Sequence, residues 1–405
     1  MPSCLATDGY FVTGFGAKQQ GQGGAGVAYP ADSLAGATNP AGLFYAGNRF
    51  DIGVTWFRPT RWGIISGNQL PPGFPDVNGT YDASRVKNFF LPEIGYSQLF
   101  KPNLAFGVAI YGNGGLDTSY TTPIPLLGST RGGVDLEQLF ISPTAAYQAG
   151  KHNFFGAAAN IAYQRFTAEG LQNFASPNIS VDPSAVTNTG HSNSYGAGVR
   201  VGWIGELTDA IGVGATYQSR TYTSAFSRYQ GLFAEGGKFD VPANFAFGAH
   251  VKLGPKAALL FDEERILYGD VKSIANSDAN QAPLGASDGP GFGWHDINVE
   301  KAGVDYEVSS SVTLRGGYNH GGVPFDDSQT FFNLLAPAVV KDHLHLGATW
   351  ASKSGKEINI AYVHAFDNTV DGVNSIPPAD GGGNANLRMY QNSLELSFGW
   401  NKGRK

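Results

Sequence analysis

The sequence predicts an all-β protein, a transmembrane antiparallel β-barrel of about fourteen strands. Three observations predict it. Apolar and polar residues alternate with period two from Arg49 onward. Short and long breaks in that alternation follow each other strictly. Only 15% of the 405 residues are charged, while 56 are Gly and 13% are aromatic. Such a chain suits many strands with one apolar and one polar face.

The strands come first. Leu394, Leu396, Phe398 and Trp400 alternate with Ser393, Glu395, Ser397 and Gly399. Leu344, Leu346, Ala348 and Trp350 alternate with His343, His345, Gly347 and Thr349. The same pattern recurs at 195–204, 211–218 and 312–319. A two-sheet sandwich with one wet face would also alternate, so the connections decide. Short breaks fall at 101–103, 150–152, 207–209, 254–256, 309–311 and 352–356. Long breaks fall at about 63–88, 119–134, 173–191, 224–240, 273–292, 322–338 and 369–386. Short turns on one side and long loops on the other mark an outer-membrane barrel and put both termini on the periplasmic side. A sandwich has no reason to keep that asymmetry. No apolar run of 18 residues occurs, which excludes a helical membrane protein and leaves closed barrels untouched.

Residues 1–47 lack sustained alternation and are rich in Gly, Ala and Gln, which sets them apart from the barrel at 48–405. Met1 to Ala6 reads as the remnant of a signal peptide otherwise absent from the sequence, in preference to a lipidated Cys4. Cys4 stands alone, so neither an intrachain disulfide nor a Cys-based zinc site is expected. The net charge of -6 gives no footprint for nucleic acid. The run Gly21 to Gly26 is too loose for a phosphate-cradling loop, since no strand precedes it and no Lys-Ser/Thr ends it. No cofactor, metal site or enzyme signature is expected. His343 and His345 share a strand face, but neither an acidic residue nor a third His lies beside them in sequence, so solvated lumen histidines are expected.

Several motifs resemble one family. Gly14-Phe15-Gly16 leads through Gly21-Gln22-Gly23-Gly24 to Asn39-Pro40-Ala41-Gly42-Leu43, just before the first strand. Tyr111-Gly112-Asn113-Gly114-Gly115-Leu116 follows, then Arg315-Gly316-Gly317-Tyr318 and Phe331 to Pro337. In order and over the whole chain, these are similar to the FadL/TodX family of fatty-acid and hydrocarbon transporters. The C-terminal Phe398-Gly399-Trp400 is similar to an outer-membrane assembly signal, although Glu395 replaces its usual Gly and five residues follow.

The resemblance implies a fourteen-strand barrel with residues 1–47 as an N-terminal hatch (plug) inside its lumen, set in a Gram-negative outer membrane among its lipid and lipopolysaccharide and as a monomer. Ligand would be caught outside and leave sideways through a gap in the wall. Long-chain fatty acids are the first expectation, aromatic or alkane hydrocarbons the alternative. A structural or adhesive surface barrel is the alternative of another class, but it would need neither hatch nor kink. Gly14, Phe15, Gly23, Gly24, Asn39, Pro40 and Ala41 are the expected hatch residues. Pro40 pushes Asn39 out of the helical region, and Asn39 can bond neighbouring backbone. Gly112, Asn113, Gly114 and Gly115 are the expected kink, because Gly weakens a ladder and permits a bulge. A carboxylate ligand would want a buried cation. Arg200, Lys301 and Arg315 face inward by alternation. The resemblance adds Arg165, which alternation from Asn160 and Gln164 turns outward; a bulge or rim position would reconcile the two. Glu263 or Glu264 would face lipid unless a bulge or rim position relieves it.

Overall fold

The computed structural model describes residues 8–401, so Cys4 and the signal-peptide reading lie outside the described residues. Fourteen strands form the wall. They are β1 (Arg49–Ser66), β2 (Phe89–Lys101), β3 (Leu104–Ser119), β4 (Gly133–Ala149), β5 (Asn153–Glu169), β6 (Ser192–Glu206) and β7 (Ile211–Gln218). Then come β8 (Asn244–Leu253), β9 (Ala257–Ile266), β10 (Ile297–Ser309), β11 (Val312–Gly321), β12 (Asp342–Ala351), β13 (Lys356–Val370) and β14 (Asn384–Asn401). Each pairs antiparallel with its sequence neighbours. β14 returns to pair with β1 from Arg49↔Asn401 to Ser66↔Asn384, so the sheet closes and loses its outer edges. Two short strands, Gly79–Asp82 and Tyr222–Thr223, attach to β1 and β6.

Period two means that one face of every strand points out. The burial order is inverted relative to a water-soluble protein. On β14, Leu394, Leu396, Phe398 and Trp400 are exposed while Glu395 and Ser397 are buried. On β12, Leu344, Leu346 and Trp350 point out and His343, His345 and Thr349 point in. A wall that is apolar outside and polar inside is stable in lipid, where each fully buried large apolar side chain is worth about 1.5–3 kcal/mol. Exposed Phe100, Tyr147, Phe155, Tyr306, Trp350 and Trp400 ring the short-turn end. Tyr195, Tyr222, Phe247 and Tyr318 stand on the same outer face toward the long-loop end. Such girdles mark the two membrane interfaces.

Glu263 illustrates the depth rule. β9 pairs regularly with β8 and β10 through this stretch, without a bulge. Glu263 points outward, opposite Phe247 of the upper girdle and three residues from the strand's long-loop end, whereas Glu264 points inward. The rim position accounts for the charge.

Residues 8–47 lie against the inner wall as short turns and helices of at most five residues. Ala17–Gly21 touches β11 to β14, and the turn Pro40–Gly42 touches β4 to β6. The long loops fold over the other end and share one apolar cluster with the segment's start, built on Tyr10, Phe226, Phe233, Trp294 and Leu334.

Candidate functional site

The N-terminal segment is held by backbone donors reaching wall acceptors. Asp262 Oδ2 accepts from Gly26 N (2.7 Å) and Val27 N (2.9 Å), and Glu93 Oε2 accepts from Gly16 N (3.1 Å). Asp51 Oδ2 accepts from Ser33 N at 3.1 Å and from its hydroxyl. Lys18 Nζ lies 2.6 Å from Glu357, which also pairs with Arg49. Charge-assisted bonds of this kind are the strong ones. Wall and segment approach backbone to backbone: a Cβ on Gly317 would stand 2.2 Å from Gly23 N. Only glycine on both sides permits that contact.

The predicted hatch residues fall along this seam. Asn39 is extended at φ −142°, and its Oδ1 accepts from Ala41 N at 3.1 Å, capping the turn that Pro40 starts. Its Nδ2 donates to Val27 O (2.8 Å) and to the wall's Trp203 O (3.1 Å). Gly14 packs on Gly24. The Phe15 ring stands edge-on to Tyr111 of β3, centroids 4.6 Å apart.

At β3 the wall is interrupted. β2 and β3 pair from Lys101↔Leu104 only as far as Ile94↔Ile110. Beyond that, Phe89 to Glu93 pair with β1 alone. β3 continues against β4, with a register shift that leaves Asn113 as the extra residue between Gly112 and Gly114. From Asn113 to Ser119 both faces of β3 are buried, because the strand has swung inward. Residues 83–85 close the top: Ser119 N donates to Ala83 O at 3.0 Å and Arg85 N to Ser119 O at 2.9 Å. A buried Arg61–Asp117 pair at 2.8 Å braces β1 to β3 there.

Two cavities flank this bent strand. The outer one, under the long loops, is lined by Leu116 of β3 and by six phenylalanines, Phe166, Phe174, Phe233, Phe239, Phe292 and Phe332. No charged side chain lines it. The inner cavity lies behind the interruption and reaches the outward-facing Pro92. Val12, Phe57, Leu91 and Tyr111 form its apolar side, and Thr55, Glu93 and Glu395 its polar side. Tyr10 is fully buried, its ring 6.2 Å from Phe239 of the outer cavity, while Val12 lines the inner one.

The four predicted cations do not converge on the outer cavity. Lys301 is committed to Glu264 (2.8 Å) and Arg315 to Asp305 (2.8 Å). Arg200 points inward and bonds Thr38 O (3.0 Å) and Gln218 Oε1 (2.7 Å), neutral groups on the segment and wall. Arg165 corrects the expectation of a ligand contact. The β4–β5 register runs unbroken through Glu137↔Arg165, so alternation turns it outward, to Glu137 (3.9 Å) and His191 (2.6 Å). The histidines need a second correction. His343 and His345 face inward but are fully buried rather than solvated, because the N-terminal segment fills the lumen; His345 Nδ1 lies 2.6 Å from Gln20 O. Among the described residues no group of three metal-ligating side chains occurs.

Sequence reasoning missed Tyr10 and Phe11, both cavities, and the inward roles of Asp262, Glu93 and Glu395. One signal was available for the interruption. Pro92 lies inside a strand, and proline is confined to strand edges and bulges because it lacks a ladder donor.

A closed, outward-apolar barrel with a filled lumen and a broken wall defines an outer-membrane channel for hydrophobic compounds. The sequence matches, over residues 4–386, the family described as outer membrane protein transport protein (OMPP1/FadL/TodX), and the chain belongs to that family. Members are outer-membrane β-barrel transporters of Gram-negative bacteria. Similar solved structures include the Pseudomonas putida toluene transporter TodX (20% identity, TM-score 0.72, 96% of this chain and 99% of that one). A Pseudomonas aeruginosa FadL homologue matches at 16% identity and TM-score 0.74, over 97% of this chain and 100% of that one. The Ralstonia pickettii toluene transporter TbuX matches at 17% and 0.65, over 96% of this chain and 98% of that one. No curated protein matches the sequence.

Proposed function

We propose that this chain admits small uncharged hydrocarbons, single aromatic rings above all, rather than fatty acids. The observation that carries the reading is the outer cavity, walled by six phenylalanine rings and free of charged side chains. An aromatic ring gains there by dispersion and area burial. A fatty-acid carboxylate would lose its hydration with no cation to meet it, a cost of several kcal/mol. That two of the similar structures are toluene transporters supports the same choice.

In this reading residues 8–47 act as the hatch. Ligand enters from the extracellular loops, passes Tyr10 and Phe11, and leaves sideways between β2 and β3. Sideways release suits an apolar ligand, which keeps about 0.8 kcal/mol per CH₂ by avoiding water. Closure of β14 on β1, which leaves no terminal strand edge to pair with another chain, supports a monomer set in lipid and lipopolysaccharide.

The test is uptake of labelled toluene and labelled oleate by a Gram-negative host lacking its own channels of this family. Toluene uptake several-fold above the empty-vector control, with oleate at the control rate, is the expected result. Oleate uptake with toluene at the control rate would restore the fatty-acid assignment.

A further inference from the structure

The outer face of the wall carries a groove at the short-turn end that the transport route does not use. It crosses the seam where β14 closes on β1 and holds about 700 Å³. A water takes about 30 Å³, so the space suits a hydrocarbon chain better than a few solvent molecules. Cross-strand pairing builds the groove in two rows. In one, Trp350 stands opposite Ile358, Ile358 opposite Phe398, and Phe398 opposite Ile52. In the other, a step nearer the short turns, Phe50 stands opposite Trp400 and Trp400 opposite Lys356. The six apolar side chains are all exposed. The polar groups gather at the turn end, where Lys356, Ser352 and Ser354 line the groove. The same turn carries Lys353, and no other short turn has two lysines. The acid among the lining residues, Glu357, turns inward to Lys18 and Arg49 and does not neutralise them. Ser352 Oγ accepts from Lys356 N at 3.2 Å, and the Ser352 and Ser354 hydroxyls stand 2.8 Å apart. One hydroxyl donates to the other, which leaves one hydroxyl hydrogen for an outside acceptor.

We infer that this groove holds an anionic phospholipid of the periplasmic leaflet, of the phosphatidylglycerol class. An acyl chain lies along the row from Trp350 to Ile52, and the phosphate meets Lys353, Lys356 and the serine pair. Depth supports this placement. Trp350 and Trp400 belong to the aromatic girdle, which sits at headgroup level, so lysines just beyond it reach the phosphates. Charge supports it as well. Lysine and hydroxyl donors suit phosphate oxygens, and basic side chains beside a membrane favour anionic lipid. Phosphatidylethanolamine brings an ammonium group that two lysines repel. The inference is independent of what the lumen conducts.

The experiment is native mass spectrometry of the detergent-purified full chain. Phosphatidylglycerol and phosphatidylethanolamine with identical acyl chains are added in equal amounts, so their ratio reports the headgroup and not the chains. The wild-type protein should retain one phosphatidylglycerol at least fivefold over phosphatidylethanolamine. K353Q/K356Q should bring that ratio to within twofold of one. Both lysines are exposed, so this variant should assemble, as heat-modifiable gel mobility will show. W350A should lower retention of both lipids at least threefold, because it removes a wall of the groove. K101Q/K256Q removes the same charge from two other short turns and should leave the ratio unchanged. Three results would overturn the site: equal retention of the two lipids by the wild type, an unchanged ratio in assembled K353Q/K356Q, or an equal fall in K101Q/K256Q. The last would make the preference a property of the whole short-turn end. A dimer whose yield falls in W350A would also overturn it and assign the groove to a second copy of this chain.

Discussion

Phe11 and Gly114 pair as an isolated antiparallel bridge, and Gly115 N donates to Tyr10 O at 3.1 Å. The other edge of β3 is already taken by β4, with Gly114 opposite Gln138. The N-terminal segment therefore occupies the edge that β2 gives up above Ile94. An unpaired buried backbone group costs about 1–3 kcal/mol, so the interruption is tolerable only while something fills it. The segment that fills it also separates the two cavities.

This pairing predicts the effect of Gly114→Val. A Cβ at Gly114 would stand 2.1 Å from Tyr10 O, so a side chain there expels the segment. The bared edge of β3 then gains by pairing with β2, which closes the interruption. Uptake of labelled toluene should fall about tenfold, the factor that 1.4 kcal/mol confers, while heat-modifiable mobility persists. Wild-type uptake in the assembled variant would rule out release between β2 and β3.

Asn39 predicts a local effect inside the hatch. Alanine there removes the cap on Ala41 N and the donors to Val27 O and Trp203 O. Loss of such bonds costs about 1–3 kcal/mol. Amide exchange across residues 27–42 should accelerate at least tenfold in Asn39→Ala while the strands keep their protection. Equal exchange in both proteins would show that the side chain does not fix this turn.

The wall was legible because the physics behind it is local. Alternation and turn spacing act within a few residues, so all six short breaks recur as turns and the seven long ones as loops, with ends shifted by a few residues. Asn113 could be read too, since adjacent glycines weaken a ladder wherever they fall. What alternation could not give was the meaning of the inward face. It turns Arg165 out and Arg200, Lys301 and Arg315 in, but it cannot say that Glu264 and Asp305 neutralise two of them from neighbouring strands. The outer cavity was illegible for a related reason. Its phenylalanines come from a strand and from loops far apart in sequence, and loops carry no period.

The outer cavity predicts a role for Tyr120 and Thr118. Tyr120 donates to Leu334 O (2.7 Å) and Thr118 Oγ1 to Leu335 O (3.0 Å), tying the 322–341 loop to the bent strand. Leu335 lines the cavity. Removing both bonds in Thr118→Val/Tyr120→Phe should cost about 1 kcal/mol each. The half-saturating toluene concentration for uptake should rise several-fold, with the maximal rate less affected. A lowered maximal rate with unchanged half-saturation would place the loop in release and not in capture.

Asp278 predicts how the loops answer to pH. It lies half-buried in the 267–296 loop, where its N–H donates to Gln329 Oε1 at 2.9 Å, and its carboxyl takes a hydrogen bond from Phe332 N. Burial is the largest influence and raises its pKa from 3.8 to about 7, against the lowering by the Phe332 bond. The closed loops therefore favour the neutral acid. Below pH 4 the carboxyl is protonated whether the loops are docked or free, and docking has no pH dependence from this group. Between about pH 4 and 7 the free loop ionises first, so docking weakens as pH rises. Above 7 both states are ionised and the loss levels off. Limited proteolysis within residues 276–289 should accelerate from pH 4.5 to 7 and then plateau. Asp278→Asn keeps the shape without the charge and serves as the reference for the protease's own pH profile. A wild-type-to-variant rate ratio that stays constant across this range would show that Asp278 does not control the docking of these loops.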